Sequence, residues 1–392
     1  MNYSGTNCIL SALVIMASCS SHDMWDVPHY GSKDVQITSF SCDTITLDAK
    51  RTSMLGEWLM VEDRLYFFDE AIVGVKEYGL EGEFIQEYIR HGRGPGEMVS
   101  SSWAASYDRR DSSFVLMDSG MAKIHGFDRS FKKEWESKSA FYLLDTDSLN
   151  HEAKWRDLLT HPSPERFEIY EYNMDCRRIA SDSGKLYIPI VSDHIKFNKY
   201  YLAAGSRTYF REAYLFLKSN ADREFSELRL LGHYPPAYRK GTLSVFSEYD
   251  FYPDEGGITV SFAADSLIYH FNRLGDVDYT FGCGDAKIAG RYPAVRSFEA
   301  YEKEYRAQRK EYGYYGRLVR SNGNVFRTCH LDKDGGWVLQ IFDDGTKDMV
   351  GYIPIGGNWE ILGYNDGLYY AYIGENLEEE NFRIVRFKFN VI

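Results

Sequence analysis

The chain repeats one pattern of polar and apolar positions six times. Each repeat is a polar turn rich in Asp, Gly or Ser, followed at once by a short aromatic or β-branched run. The six stretches are EDRLYFF from Glu62, RRDSSFVLM from Arg109, SDSGKLYIPI from Ser181, DEGGITVSF from Asp254, KDGGWVLQIF from Lys333 and YNDGLYYAY from Tyr364. Tight turns favour such polar residues and buried strands favour such runs, so each stretch predicts a β-hairpin.

A second polar turn follows each run and predicts a second hairpin. These turns are YGLEGEF at Tyr78, FDRSFKK at Phe127, KSNADREF at Lys218, FNRLGDVDY at Phe271, FDDGTKD at Phe342 and GENLEEEN at Gly374. Two successive hairpins give three antiparallel strands, and a linking strand makes four. Six such sheets predict an all-β, six-bladed β-propeller over residues 41–392, an architecture that leaves only short sheet edges exposed.

The longer connections predict one or two short helical insertions. Residues 150–162 have a capping Asn and a terminal Pro, and 297–313 place Phe298, Tyr301, Tyr305 and Tyr312 on one helical face. We expect this aromatic stripe to dock onto a blade; a partner-binding helix is the alternative. Segment 192–213 is predicted to be an insertion inside the third blade, where repeat proteins often carry a binding surface.

Composition and charge support the all-β prediction and exclude one class of partner. The chain has 31 Tyr, 24 Phe and 7 Trp, residue types that are enriched in strands. Its 58 acidic and 45 basic residues give a net charge of −13, which repels nucleic acid. We therefore expect no nucleic-acid partner.

The N-terminus predicts export. Residues 8–17, CILSALVIMA, form an apolar run that fits a signal peptide and is too short to span a bilayer. The following MASC, Met16 to Cys19, resembles the lipobox of bacterial lipoproteins. The resemblance implies a signal peptide over 1–18, a lipidated Cys19 that attaches the protein to the membrane, and a flexible tether over 19–40. The alternative is that Cys19 is an ordinary thiol. We expect an outer-membrane location, with the membrane face left open.

Four further cysteines are scattered without any C-x-x-C pair, which argues against a zinc knuckle. They are Cys42, Cys176, Cys283 and Cys329. Disulfides are possible in an exported protein, and buried free thiols are an equal alternative.

The stretch HGRGPGE, His91 to Glu97, raises the question of a phosphate site. Its glycines are one residue too closely spaced for a dinucleotide fingerprint, and no amphipathic helix follows. We therefore interpret it as the connection between the first two blades, where alternating glycines permit close backbone approach. Arg90, His91 and Arg93 with Glu97 form a candidate site for an anion or carboxylate at the blade junction; internal ion pairing and solvation of the loop are the alternative.

GRGPGE after an aromatic hairpin resembles the signature of TolB-like six-bladed propeller lipoproteins of Bacteroides-type bacteria, many of them domains of unknown function. YPPAY at Tyr234, VFRTCHL at Val325 and the closing ENLEEENFRIVRFKF are similar to the same group. The resemblance implies the fold and the lipid anchor, and it brings no established catalytic residues. Within VFRTCHL, Arg327 is a further candidate binding residue.

Three aspartates recur after the aromatic run of their repeat: Asp69, Asp118 and Asp265. They could surround a metal in the central channel, but repeated positions favour a shared structural role, in which each carboxylate binds the backbone of the next turn. We expect no metal and no cofactor. The chain also contains neither H-E-x-x-H nor G-x-S-x-G.

The leading functional hypothesis is a lipid-anchored propeller that binds a protein, peptide or glycan outside the cytoplasm without catalysis. A metal-dependent hydrolase or lyase that uses acidic channel residues is the alternative. A third hypothesis is glycan or peptide capture by the Tyr-rich segments 312–315 and 199–210.

Overall fold

A computed structural model describes residues 24–33, 37–120, 123–138, 157–192, 194, 197–199, 206–240, 244–288, 292–293, 295, 297–332 and 335–391. The predicted signal peptide, Cys19 and most of the predicted helix over 150–162 lie outside these ranges. Residues 157–160 of that segment are helical.

The strands form six sheets in chain order, with one additional short pair. The strand after the N-terminal segment is β1 (Ile37–Asp48). Blade 1 contains β2 (Gly56–Val61), β3 (Arg64–Asp69), β4 (Val75–Gly79) and β5 (Phe84–Tyr88). The short pair β6 (Arg90–His91) and β7 (Glu97–Met98) follows, and blade 2 contains β8 (Ser102–Asp108), β9 (Ser113–Asp118), β10 (Lys123–Phe127) and β11 (Lys133–Lys138).

The remaining blades follow the same order. Blade 3 contains β12 (Tyr170–Tyr172), β13 (Ala180–Asp182), β14 (Lys185–Ser192), β15 (Tyr214–Asn220) and β16 (Arg229–His233). Blade 4 contains β17 (Tyr249–Pro253), β18 (Gly257–Phe262), β19 (Ile268–Asn272) and β20 (Val277–Phe281). Blade 5 contains β21 (Tyr314–Ser321), β22 (Asn324–His330), β23 (Trp337–Asp343) and β24 (Met349–Ile355), and blade 6 contains β25 (Glu360–Asn365), β26 (Leu368–Asn376) and β27 (Asn381–Val391).

This is the predicted six-bladed propeller of antiparallel sheets. The innermost strands β2, β8, β13, β17, β21 and β25 contact one another in sequence, and β25 contacts β2. These contacts close a ring around a central channel. Five of the six inner strands follow a connection from another blade, whereas β13 follows a loop from β12 of its own blade. We call the end of the channel at which these strands begin the channel mouth.

The first strand of the chain completes the last blade. β1 pairs antiparallel with β27, from Ser39 opposite Asn390 to Asp48 opposite Asn381. Blade 6 is therefore built from both ends of the chain, and the propeller begins four residues before the predicted start at residue 41. This pairing holds the ring closed because it covers the edge that β27 would otherwise expose.

Aromatic side chains fill the spaces between neighbouring sheets. Trp58 of blade 1 packs at 5.0 Å from Phe382 of blade 6, and Phe67 lies 4.7 Å from the same ring. All three are almost fully buried. Since blades are held together by such apolar contacts, the aromatic-rich composition stabilises the ring closure as well as the individual sheets.

Within the described ranges, two α-helices of seven or more residues interrupt the strand pattern, α1 (Ser206–Glu212) and α2 (Phe298–Glu311). α1 lies between β14 and β15, so the predicted insertion inside the third blade is confirmed. The N-terminus of α2 is capped by Ser297, whose side chain accepts a hydrogen bond from the Ala300 N–H at 3.2 Å. Tyr301 and Tyr305 pack against a cluster around Phe246, which confirms that the helix docks onto the propeller.

The described part of the segment predicted as a tether is bound to the propeller. The Pro28 carbonyl accepts the Thr280 N–H at 2.9 Å, and the Tyr30 N–H donates to the Thr280 carbonyl at 2.8 Å. Further along, the Ser32 carbonyl accepts the Met349 N–H. Residues 24–33 therefore run along the outer strand of blade 4 and reach blade 5 before β1 begins; we call them the strap. No helix in the described ranges is long and apolar enough to span a bilayer.

Candidate functional site

Charged side chains from five of the six inner walls face the central channel. They are Glu57 of β2, Arg178 before β13, Asp250 of β17, Arg317 of β21 and Glu360 of β25. Four of these residues lie within inner strands, whereas Arg178 lies in the loop before β13.

Blade 3 contributes its charged residues through an interruption of its inner strand. Tyr172 of β12 pairs with Ile190, whereas Ala180 of β13 pairs with Tyr187 of the same strand β14. More residues lie on the inner side than β14 can pair, so residues 173–179 leave the sheet as a loop. This loop brings Arg177 and Arg178 to the channel mouth.

Arg178 and Asp250 link three blades. The Arg178 Nη1 donates to Asp250 Oδ1 at 3.1 Å and to the Leu318 carbonyl at 3.3 Å. Asp250 Oδ2 accepts the Leu318 N–H at 2.8 Å. Because the carboxylate accepts from blade 3 and from blade 5 at once, it fixes the relative positions of blades 3, 4 and 5.

Glu57 is the second residue of β2, close to the channel mouth, and is partly buried. Its Oε2 accepts the Ala105 N–H of blade 2 at 2.7 Å. Burial raises the pKa of Glu57 to about 8; the Ala105 N–H, Arg178 and Arg317 lower it, and the Glu360 carboxylate raises it further. Glu57 is therefore mostly protonated at neutral pH and can donate a hydrogen bond into the channel.

Arg317 and Glu360 face each other across blades 5 and 6. Their closest atoms, Arg317 Nη2 and Glu360 Oε1, are 3.7 Å apart, beyond a direct hydrogen bond. The Glu360 carboxylate raises the pKa of Arg317 above its usual value, so the guanidinium is always charged. Among the described residues, the Arg317 side chain makes no hydrogen bond. Its donors therefore remain available to a molecule in the channel.

A cavity of about 210 Å³ opens at the channel mouth between blades 3, 4 and 5. We call it the mouth pocket. It is lined by Asp175, Cys176, Arg177, Arg178, Glu248, Tyr249, Asp250, Arg309, Tyr314, Tyr315, Gly316, Arg317, Trp337 and Asn358. Aromatic faces and fixed charges thus share one concave site, which is typical of small-ligand pockets.

Helix α2 supplies one wall of the mouth pocket. The Arg309 Nη2 donates to Glu248 Oε2 at 2.6 Å, and the guanidinium stacks 3.5 Å above the ring of Tyr314. Tyr305 also donates to Glu248. The aromatic stripe predicted from the sequence therefore holds Arg309 in place, and the helix positions a charged residue as well as covering a blade.

Most of the charges at the mouth pocket are paired. Arg177 contacts Glu70 at 3.2 Å and lies 5.0 Å from the ring centre of Trp103, and Lys199 donates to Asp175. Such pairing leaves oriented donors and acceptors at fixed spacing with little net charge. A ligand would be recognised by the placement of its polar groups and not by total charge.

The stretch HGRGPGE forms the connection between blades 1 and 2, as predicted. Glu97 turns its carboxylate inward and accepts the Gly94 N–H at 2.6 Å, while Arg90, His91 and Arg93 are exposed. A Cβ atom at Gly92 would lie 2.1 Å from Glu97 Oε2, so a larger residue there would displace this carboxylate. The glycine loop therefore encloses its own acidic side chain where a phosphate-binding loop would hold an anion.

Arg327 lies in blade 5, whereas the HGRGPGE loop lies between blades 1 and 2, so the structure does not bring these candidates together. The Arg327 side chain is fully buried. It donates to the carbonyls of Ser266 and Cys283 and to Gln340 Oε1, and it lies 4.1 Å from the ring centre of Tyr315. These contacts join blades 4 and 5.

The three repeated aspartates each bind the turn that follows their strand. Asp69 accepts the Ala71 and Ile72 N–H groups, Asp118 accepts the Lys123 N–H, and Asp265 accepts the Leu267 N–H. They follow the second strand of their blades, one strand away from the channel. No group of three His, Cys, Asp or Glu side chains within the described ranges converges as a metal-binding set.

The four cysteines in the propeller are free thiols: Cys42 is exposed, Cys283 half-buried, and Cys176 and Cys329 are buried. Burial raises the pKa of both buried thiols, so neither is activated as a nucleophile. Cys176 lies in the wall of the mouth pocket as a small apolar group.

Four of the channel residues were not predicted from the sequence: Glu57, Asp250, Arg317 and Glu360. Each is a charged residue inside a short strand that precedes a conspicuous hairpin, as in GEWLMV and YDFYP. The sequence signal that could have identified them is a charged residue within the strand that precedes each hairpin. These charged residues are recognised as one site only in the folded ring, where the six inner strands lie side by side.

Known protein structures share this fold. Neither a protein-family model nor a curated protein sequence matches the chain. The crystal structure of a DUF4221 family member from Bacteroides vulgatus aligns with 92% of this chain and 100% of its own, with 9% identity and a TM-score of 0.64. A Bacteroides fragilis protein predicted to be exported aligns with 93% of this chain and 99% of its own, with 11% identity and a TM-score of 0.51. At this identity the similarity shows the fold alone.

Proposed function

We propose that the protein is a lipid-anchored, extracytoplasmic propeller that binds a ligand in the mouth pocket. The MASC sequence at Cys19 and the GRGPGE resemblance to TolB-like lipoproteins support the anchor. The relationship in fold to a Bacteroides protein predicted to be exported is consistent with the same location. The bound molecule is a small polar ligand, or a side chain or sugar of a larger partner.

The uncommitted Arg317 guanidinium carries this proposal. The Arg317 side chain is 33% exposed. Its buried part makes no hydrogen bond among the described residues, and unpaired polar groups are costly to bury. Arg317 has only the 3.7 Å contact to Glu360, and it shares the mouth pocket with Trp337 and Tyr314. Guanidinium groups bind carboxylates with bidentate geometry and can also donate single hydrogen bonds to hydroxyl groups.

Thermal-shift screening of the purified protein tests this ligand-binding proposal. The compounds are monosaccharides, uronic acids, oligosaccharides, amino acids and short peptides. A binder should stabilise the wild type, and Arg317→Gln should abolish that shift. Arg320→Gln is the matched control, because Arg320 lies three residues along the same strand and is paired with Asp344 at the surface. A ligand that stabilises wild type and Arg317→Gln equally would contradict the mouth pocket as its site.

The anchor is tested by Cys19→Ser with membrane fractionation of the producing cells. The wild type should be recovered with membranes and should incorporate labelled fatty acid, whereas Cys19→Ser should do neither. Membrane recovery of the variant at the wild-type level would contradict lipid anchoring.

A propeller hydrolase or lyase is the second candidate, and the Glu57–Glu360 relationship favours it. A protonated carboxyl and an ionised one beside a guanidinium can act as acid and base on one substrate. These channel residues take the place of Asp69, Asp118 and Asp265 in that hypothesis. Turnover of any substrate from the ligand screen that Glu57→Gln removes, while binding persists, would favour the enzyme over the binding protein.

A further inference from the structure

The outer rim of blades 3 and 4 differs from the rest of this acidic protein. Leu274, in the β19–β20 turn, is 70% exposed and lies between two surface cavities. One cavity, of about 280 Å³, is mainly apolar and includes Leu228 and Leu230. The other, of about 220 Å³, is lined by Lys185, Lys218, Arg229 and Arg273, with Glu227 as its one acidic residue.

The basic side chains at this rim lie close together, and their mutual repulsion destabilises the sheet. Lys218 and Arg229 are direct partners across β15 and β16, and like charges in that position destabilise a sheet. Lys185 is paired with Glu227, but Arg229 has no carboxylate within ion-pair distance among the described residues. Burial, together with the neighbouring Lys185, Arg273 and Arg229, lowers the pKa of Lys218. An anionic partner would relieve this repulsion.

The strap leads to the same rim. It runs parallel to β20, with His29 opposite Thr280, so residues preceding His29 lie toward the start of β20 and the turn that carries Leu274. Trp25 packs 6.1 Å from Phe271 at the end of β19, on the other side of that turn. Cys19 precedes Met24 by five residues, a span of at most about 18 Å.

We propose that the rim of blades 3 and 4 around Leu274 is the face that the protein lays against the bilayer, with its basic side chains contacting lipid phosphates. This inference rests on the proposed lipid anchor at Cys19. A lipid held within about 18 Å of Met24, beside the strap residue that packs against Phe271, would keep the rim at the membrane surface, where Leu274 enters the interface and the basic cluster meets headgroups. The net charge of −13 disfavours contact by other faces.

The test uses full-length, lipidated protein reconstituted in phosphatidylcholine vesicles containing one fifth phosphatidylglycerol. A polarity-sensitive fluorophore is attached at Leu274→Cys in a Cys42→Ser background, and the Cys42→Ser parent supplies the labelling blank. Leu377→Cys is the matched control, because Leu377 is 71% exposed in the β26–β27 turn of blade 6. We expect quenching by lipid-bound quenchers to reduce emission at position 274 roughly twofold and to leave position 377 unchanged.

A charge-reversal pair tests the headgroup contact. Arg229→Glu with Arg273→Glu should abolish quenching at position 274, whereas Lys50→Glu with Lys388→Glu, exposed positions outside blades 3 and 4 with the same charge change, should preserve it. Equal emission at positions 274 and 377 in vesicle-bound protein would overturn the inference and leave the anchor intact. Protein with intact Cys19 that does not associate with vesicles would instead contradict the anchor, and the inference with it.

Discussion

Arg178 of blade 3 donates to Asp250 of blade 4 at 3.1 Å, and the same carboxylate accepts the Leu318 N–H of blade 5. One side chain thus joins three blades at the mouth pocket, where the inner strand of blade 3 is interrupted. The mouth pocket is lined by residues of several blades, so it forms only when the blades assemble into the ring.

Removing this link should destabilise the protein and the pocket together. Asp250→Ala leaves the Leu318 N–H and Arg178 without their acceptor, and we expect a loss of about 2–3 kcal/mol in the free energy of unfolding. Asp250→Asn, which keeps an acceptor for Leu318, should lose less. Urea denaturation measures both. Adding Arg178→Met to Asp250→Ala should restore part of the loss; strict additivity would contradict the link.

Glu57 should make stability depend on pH. Its pKa is about 8 in the folded protein and near the ordinary value of 4.5 when unfolded, so between these values the folded state holds the proton and the unfolded state does not. Stability is then fully present below about pH 4.5 and falls as pH rises to 8, by at most about 1.4 kcal/mol per pH unit. Glu57→Gln, which keeps a side-chain oxygen for the Ala105 N–H, removes this contribution. Denaturation from pH 5 to 8 should therefore show the variant gaining stability relative to wild type, and parallel curves would contradict the prediction.

The HGRGPGE loop should show coupling between Gly92 and Glu97. Gly92→Ala places a Cβ where the carboxylate lies, which should cost about 1–2 kcal/mol of stability because the hydrogen bond from Gly94 is lost. Glu97→Ala alone should cost about 1 kcal/mol. In the double variant the clash is absent, so the total should be well below the sum. Gly356→Ala is a control, since no atom lies within 4 Å of its Cβ position.

Arg327 should affect stability and not ligand binding. Arg327→Met leaves the carbonyls of Ser266 and Cys283 and the side chain of Gln340 without their donor in a buried interface. We expect a loss of about 3–5 kcal/mol, measured by calorimetric or chemical unfolding. A variant that unfolds like wild type but no longer binds a mouth-pocket ligand would assign Arg327 a binding role instead.

The six-bladed architecture could be predicted because each hairpin has its own local sequence pattern. Each polar turn followed by an aromatic or β-branched run marks one hairpin. In DEGGITVSF, for example, the run GITVSF is strand β18. Counting these stretches predicted the correct number of blades. The strand order at the closure could not be obtained in this way. β1 alternates poorly, and it pairs with β27 only because the ring brings residues 37 and 391 together.

The candidate site was less predictable for a related reason. Glu57 and Glu360 are separated by most of the chain, and neither belongs to a motif. Arg177 and Arg178 reach the channel through a strand interruption that depends on pairing with β14. The conspicuous residues, in contrast, were those that maintain turns: Asp69 and Glu97 satisfy backbone N–H groups in their own loops.

The pairing of β1 with β27 also determines when the protein can finish folding. A ribosome makes β1 first and β27 last, so blade 6 cannot be assembled until translation is complete. Until then β27 is missing and the ring of blades remains open. The closed ring therefore forms only after the whole polypeptide has been made.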